Sequence, residues 1–370
     1  MYLPNYTHPE GSRQRLGVSV VICCHNSETL LPATVLRLKN QHASDVSWEV
    51  LVIDNASTDK TALVARECWG DDWPAPMRII HEPRLGLCYA RERAFEEAQY
   101  EIVSFVDDDN WVTPEWVCTV SECMSADSKL GAIGSLNTAV ADVPFPEWFS
   151  RYCHYYAAWA YREPATFPTW ALSGAGMSIR KSTWQNLRRD GFRLSLTGRL
   201  GNRLSSCEDV EIGCAIQLAS WKIRVEPRLQ LQHYMTPTRL QWTYLRALLR
   251  GVGEANVILD SYLFVSQSDH VDLLNRLRLC WWTRLAKEIL YLIHSSRIAK
   301  LIGSSRRDME GDDEVADIEL RIGRLLGLLR LRSRYGQLRQ DVARARWRRV
   351  DALADAASTR DCLEGGILLR

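Results

Sequence analysis

No stretch of the chain reaches the roughly 18 consecutive apolar residues a membrane-spanning helix needs, so none is predicted. The opening residues, MYLPNYTHPEGSRQR, lack an apolar core behind a basic segment and do not read as a secretory signal. Without one, the acceptor pattern Asn5-Tyr6-Thr7 predicts no glycan. Net charge is nearly absent: 46 basic and 45 acidic side chains leave +1 over 370 residues. That balance gives no general field for nucleic acid, so no nucleic-acid partner is predicted. The 11 cysteines form no CxxC pair and show no metal-ligand spacing. They are expected as reduced, mostly buried thiols of a cytoplasmic protein. The first apolar run is followed by CHNSETL and not by a GxGxxG turn, which removes the phosphate cradle of a dinucleotide-dependent oxidoreductase. No glycine-rich basic loop stands near the start, as a sugar-phosphate nucleotidyltransferase would need. That class remains the nearest enzymatic alternative.

What is present is an alternation of apolar runs and helical patterns. Residues 18–24, VSVVICC, form a run rich in β-branched apolar residues, the pattern of a strand buried on both faces. His25-Asn26-Ser27 breaks it, and a helix is predicted from Ser27 or Glu28 to about Asn40. WEVLVI (48–53) is a second strand, and DNASTDKT (54–61) turns into a helix capped by Thr58 or Asp59. MRIIH (77–81) is a third strand, 86–99 a helix and EIVSFV (101–106) a fourth strand. Strand–helix alternation with short connections predicts a doubly wound α/β sheet with helices on both faces. In such sheets ligands bind beyond the carboxyl ends of the strands.

Two strands end in acid there: Asp54 after one, Asp107-Asp108-Asp109 after another. Like charges a few ångströms apart raise one another's pKa, and a cation relieves them. Carboxylates are hard oxygen ligands suited to Mg2+ or Mn2+, ions that keep phosphate oxygens among their ligands. The plainer reading is an acidic turn capping a helix near Pro114; the position after a buried strand favours the metal. A second acidic segment, SSCEDVEIGCAI (205–216), reads as a loop entering a helix, with Ser205 or Ser206 as cap. Glu208, Asp209 and Glu211 suit the positive end of that helix. One of these carboxylates at a sugar hydroxyl would be a general base.

The ordered set VSVVICCHN, EVLVIDNASTD, RLGLCYARERAFEEA, VSFVDDDNW, LSGAGMSIRK and CEDVEIGCAI resembles the family 2 glycosyltransferases over roughly residues 17–250. Each motif alone is weak; six in order are specific. The resemblance implies a GT-A-type mixed sheet and metal-assisted, inverting transfer from a nucleotide-diphospho-sugar to a carbohydrate or lipid-linked acceptor. It implies that Asp54 contacts the nucleotide base, with Asn26 and Ser27 lining the same pocket. Asp107 and Asp109 match the family's DxD pair as metal ligands, and Asp108 would reach the ribose or a metal-bound water. Gly174, Ala175 and Gly176 match the small-residue loop beside the donor sugar. Asp209 matches the catalytic base, with Glu208 positioning it or touching the acceptor. His233 resembles a metal or diphosphate ligand and reads equally as a hydrogen-bonded strand-end histidine. Arg91 is either a nucleotide contact or a solvated helix charge. The QxxRW signature of processive synthases is absent, since Gln241-Trp242-Thr243 does not satisfy it. One sugar per event is therefore expected. The rival of another class is a degenerate transferase that binds nucleotide or glycan without turnover; intact Asp107, Asp109 and Asp209 count against it.

Three units are expected: a tail over 1–16, a catalytic domain over 17–250 and a helical extension over 251–370. Aromatic residues crowd 145–170. Trp148, Tyr152, Tyr155, Tyr156 and Trp159 share a helical face, which reads first as a core stripe and second as a sugar-stacking platform. The stretch 276–302 is basic and amphipathic with paired tryptophans. It reads either as an interfacial membrane helix, on the inner face of the cell membrane, or as a helix packed on the protein. Arg- and Leu-rich segments at 315–332 and 337–357 offer a helical hairpin for homo-oligomer formation.

Overall fold

A computed structural model describes residues 15–71, 73, 75–158, 172–199, 204, 207–266, 280–294 and 309–349. Strands β1 (Val18–Cys24), β2 (Trp48–Asn55), β3 (Met77–Glu82) and β4 (Ile102–Phe105) alternate with helices α1 (Leu31–Lys39), α2 (Thr61–Trp69) and α3 (Leu87–Glu97). β5 (Asn110–Val112), α4 (Trp116–Ala126), β6 (Leu130–Val140) and the short α5 (Phe149–Tyr152) follow. Then come β7 (Ser178–Arg180), α6 (Lys181–Arg189), α7 (Glu208–Leu218), β8 (Lys222–Tyr234) and α8 (Trp242–Ser266). The last described helices are α9 (Trp281–Leu292), α10 (Asp313–Arg330) and α11 (Tyr335–Ala343).

The eight strands form one mixed sheet in the order β3-β2-β1-β4-β7-β6-β8-β5. β1, β2, β3 and β4 are parallel neighbours, whereas β7 runs antiparallel to β4 and β5 antiparallel to β8. The continuous apolar runs have the reason expected of them. Val21, Leu51, Ile53, Val103 and Phe105 enter one core, and Val18, Val20, Ile22, Val50, Val52 and Ile102 enter the core on the opposite face. Alternate residues of one strand thus need apolar partners on both sides.

β5, β6 and β7 had no counterpart among the expected strands, and β8 had one only in the strand-end reading of His233. β8 mixes Arg, Glu, Gln and His with its apolar positions and is only half buried, so it shows no continuous apolar run. The helical face expected to run from Trp148 to Trp159 is also corrected. Pro146 precedes a single helical turn, a 3-10 turn covers Cys153–Tyr156, and Ala157 ends it at φ +54. Trp148, Phe149, Tyr152 and Tyr156 nevertheless pack into a core with Trp242 and Leu245, as the core reading requires; Trp159, Tyr161, Phe167 and Trp170 lie outside the described residues.

α8 crosses residue 250 without interruption, so the helical region begins inside the stretch assigned to the catalytic domain. α10 lies on α8 at glycine contacts, which bury Val315, Ile318 and Leu328 of its apolar face within this chain. A Cβ on Gly323 would stand 2.1 Å from the Arg250 carbonyl oxygen, and one on Gly253 2.0 Å from that of Leu320. Buried Glu319 accepts from Arg246 at 2.7 Å and also pairs with Arg250. Gly323→Ala is therefore expected to push the two helices apart and to cost about 1–3 kcal/mol of stability, the usual overpacking penalty. A chemical denaturation midpoint equal to that of the unchanged protein would contradict this close approach.

Candidate active site

β4 stands where parallel pairing to β1 gives way to antiparallel pairing with β7. The chain leaves β4 as Asp107-Asp108-Asp109, at the carboxyl ends of the parallel strands, where the alternation of strands and helices places a ligand. Local hydrogen bonds fix the turn. The Asp107 amide donates to Asn110 Oδ1 at 3.0 Å, and Asn110 Nδ2 donates to Asp109 Oδ1 at 2.9 Å. Thr34 Oγ1 donates to the Asp108 carbonyl at 2.8 Å, and Ser27 donates to the Asp108 carboxylate. Asp108 thus faces Ser27 at the end of β1.

β8 brings His233 to this turn. Asn110 and His233 are register partners, and the Tyr234 amide donates to the Asp109 carbonyl at 2.9 Å. His233 Nε2 lies 3.4 Å from Asp109 Oδ1, while its Nδ1 is buried without a partner. Arg239, on the turn after β8, reaches Asp109 Oδ2 at 2.6 Å and His233 Nε2 at 3.2 Å. Burial raises the Asp109 pKa, but His233 and Arg239 outweigh it and hold this carboxyl well below the usual range. Burial pushes Asp107 up, and the negative charge of Asp109 adds to the rise. Asp108 is pushed up to about 7 by burial, with Asp109 again adding. One carboxylate is thus neutralised by this chain's own cations, and two are left short of positive charge.

The second acidic motif arrives on α7. Its N-cap is Cys207, in the left-handed region at φ +73 and without a side-chain cap bond; Ser205 and Ser206 lie outside the described residues. Glu208 is buried and pairs with buried Arg91 at 2.8 Å. Burial pushes Glu208 up to about 7 against the pull of Arg91, and Asp209 adds to the rise. Arg91 is accordingly not a solvated charge. Asp209 is half buried and faces the cavity, its Oδ2 accepting from the Gly174 amide at 2.5 Å. Glu211 turns the other way. It is fully buried and accepts from the amides of Ser195 and Leu196 and from the Tyr262 hydroxyl at 2.6 Å.

The loop 174–176 shows why small residues stand there. A Cβ on Gly174 would lie 2.3 Å from the Arg91 guanidinium, and one on Gly176 2.0 Å from Ser135 Oγ. Gly176 also has φ +79, a conformation that favours glycine. The Ala175 carbonyl accepts from Asn137 Nδ2 at 3.0 Å, tying the loop to β6.

One cavity of about 340 Å³ gathers these groups: Asp107, Asp108, Asp109, Gly174, Ala175, Glu208, Asp209, Arg91 and His233 all line it. Asn26 and Asp54 stand beside it, not in its lining. The Asn26 amide donates to Ser57 Oγ at 3.1 Å and its Oδ1 accepts from the Thr58 amide at 2.8 Å, while Asp54 accepts from the Ser57 amide at 3.2 Å. One short segment, 57–58, therefore links the ends of β1 and β2, with His25 and Asn55 reaching the lining. Arg239, Arg199, Tyr155, Tyr156 and Tyr244 also line the cavity. Tyr155 and Tyr156 belong to the aromatic set whose second reading was a sugar-stacking platform; Arg239, Arg199 and Tyr244 were not singled out from the sequence and carry no signal there. A larger cavity of about 530 Å³, between residues 190–195 and α11, holds none of the motif carboxylates.

Among the described residues no three His, Cys, Asp or Glu side chains converge as a ready-made cation cage. The donor set still suits a hard divalent cation. Mg2+ and Mn2+ commonly take one or two carboxylates and complete their shell with phosphate and water. Asp107 and Asp109 could supply such carboxylates beside His233, whose Nδ1 alone has no partner, and Arg239 stands at Asp109.

Residues 19–188 match the family model described as Glycosyl transferase family 2. The uncharacterized glycosyltransferase YfnE of Bacillus subtilis (strain 168) is 38% identical over 91 residues, which cover 25% of this chain and 22% of that protein. The cholesterol galactosyltransferase of Borreliella burgdorferi is 33% identical over 95 residues, covering 26% of this chain and 25% of that protein. The matched stretch thus spans about a quarter of each relative's length. Among solved structures, the mannosyltransferase PcManGT from Pyrobaculum calidifontis, in complex with GDP-Man and Mn2+, superposes with a TM-score of 0.53. That alignment covers 86% of this chain and 87% of the other at 17% identity, a likeness of fold.

Proposed function

We propose, for a chain whose residues 19–188 belong to the glycosyl transferase family 2, that it transfers one sugar from a nucleotide-diphospho-sugar to a hydroxyl of a carbohydrate or lipid-linked acceptor. The observation that carries this reading is the single cavity in which the turn after β4, the 174–176 loop, the start of α7 and the end of β8 meet. Asp107, Asp109 and His233 would hold Mn2+ or Mg2+, which would supply positive charge at the departing diphosphate. The mannosyltransferase of like fold holds GDP-Man with Mn2+, which supports both the donor class and the cation. Arg239 contributes a second positive charge at the same place. Asn26, Ser27, Asp54 and Asp108, linked at the ends of β1, β2 and β4, take the nucleoside. Gly174, Ala175 and Gly176 let the donor sugar lie against backbone.

Asp209 removes the acceptor proton. Glu208 is tied to Arg91 and Glu211 to two amides and a tyrosine, so Asp209 is the carboxylate of α7 left to face an acceptor. Its proton abstraction accompanies attack on the anomeric carbon from the face opposite the diphosphate, and the configuration inverts. No covalent enzyme intermediate is involved.

A panel of nucleotide sugars, with and without manganese, tests the reading. One donor is expected to raise the melting temperature in manganese and to release nucleoside diphosphate. Stabilisation without release, across the panel and with added saccharide and lipid-linked acceptors, would mark a binding protein instead. Release of pyrophosphate from a nucleoside triphosphate and a sugar phosphate would mark a nucleotidyltransferase.

A further inference from the structure

α9 is built inside out. Two of its three charged side chains point into the protein while Lys287 is exposed: Arg284 pairs with Asp260 at 2.5 Å, and Glu288 with Arg321 at 3.1 Å and Arg324 at 3.2 Å. Arg324 also reaches Asp260 at 2.8 Å, and the Tyr291 hydroxyl donates to Asp317. Trp281 fixes the start of the helix by donating to the Leu328 carbonyl at 2.7 Å. Leu285 is buried against Val257 and Leu328, but most of the other apolar side chains point outward. Trp282 is 70% exposed, Leu290 67%, Ile293 58% and Ile289 41%. With Ala286 they follow the spacing of a single helical stripe.

A helix at a water-facing surface has the opposite arrangement. Burying ion pairs is costly in desolvation and is weak support for stability, and contiguous exposed apolar surface marks an interaction site. The charge of the surrounding sequence identifies the partner. Residues 276–307 hold eight Lys or Arg and a single acidic residue, Glu288, in a chain whose total is +1. Of these, Arg284 and Glu288 are committed to the interior pairs. A second copy would bring two such basic segments together, whereas an anionic lipid surface complements them. Trp beside aliphatic side chains, flanked by Lys and Arg, is the composition of a helix lying in a bilayer interface. Among the described residues no helix is long and apolar enough to cross a membrane, which leaves attachment to one face.

We propose that the outward face of α9 docks this protein on anionic phospholipid, with Trp282, Ile289, Leu290 and Ile293 entering the interface and exposed Lys287 meeting the headgroups. The proposal does not depend on the transferase reading. The experiment is co-sedimentation of the full chain with vesicles of phosphatidylcholine alone and of phosphatidylcholine mixed with phosphatidylglycerol. Binding is expected on the mixed vesicles only, falling as salt rises. The double variant Trp282→Asp, Leu290→Glu is expected to bind at least about tenfold more weakly with an unchanged melting temperature. Leu63→Glu, which alters another exposed leucine, is expected to bind as the unchanged protein does. Equal binding to both vesicles or absence of binding to either overturns the proposal. So does a dimer in solution that the double variant dissolves.

Discussion

Replacing Asp109 is expected to remove the effect of manganese on nucleoside diphosphate binding. Asp109 is the one aspartate of the cluster engaged by both His233 and Arg239. Without it the cation loses a ligand and the two basic groups lose the anion that aligns them. Substitutions one shell away from a metal commonly cost about 10–100-fold in affinity, so loss of a direct ligand is expected to exceed about a hundredfold. The choice of variant matters. Asp109→Ala leaves the Arg239 guanidinium buried without its partner, and breaking a buried pair destabilises by about 3–5 kcal/mol. Asp109→Asn keeps an oxygen for Arg239 and removes only the charge. Both variants are expected to stop product release, and Asn is expected to melt closer to the unchanged protein. Equal activity in manganese and in chelator would contradict the metal assignment.

Asp209→Asn is expected to lower the turnover number by about 10²–10⁴-fold, the usual weight of a general base. An amide oxygen can still accept from the Gly174 amide, so the 174–176 loop keeps its place. What is lost is the ability to take a proton. Glu208→Gln acts differently, because it breaks the buried pair with Arg91. Its effect is expected on both turnover and melting temperature. Glu211→Gln is expected to act on stability alone, since Glu211 is buried away from the cavity among Ser195, Leu196 and Tyr262. Initial rates and melting curves of the three variants separate the roles. Near-normal turnover in Asp209→Asn would transfer the base to another group.

The parallel half of the sheet was legible because strands covered on both faces must be largely apolar, and VSVVICC, WEVLVI and EIVSFV are, the buried exceptions Ser19 and Glu49 bonding to each other. The antiparallel half was not. β7 is three residues long and β8 alternates polar with apolar, so neither departs clearly from loop or helix composition. The site followed the same division. Asp107 and Asp109 could be read because acid after a buried strand needs a reason, whereas acids at a helix start are common and the choice of Asp209 among them came from the resemblance. Gly174 and Gly176 came from the resemblance, and the structure adds the steric cause: Arg91 and Ser135 fill the space a side chain would take. Arg239 was invisible because its role arises only when β8 pairs with β5 and returns the chain to Asp109. The aromatic segment had the right residues for a core and the wrong element, since side-chain spacing does not register the proline and the left-handed residue that limit the helix.

The central claim is that two acidic motifs share one cavity and divide the work, Asp109 for the donor and Asp209 for the acceptor. Calorimetric titration of one nucleoside diphosphate in manganese into the unchanged protein, Asp109→Asn and Asp209→Asn tests it directly. The account predicts that Asp209→Asn binds as the unchanged protein does, whereas Asp109→Asn binds no better than the unchanged protein in chelator. Loss of affinity in both variants to the same degree, or retention in both, would contradict it.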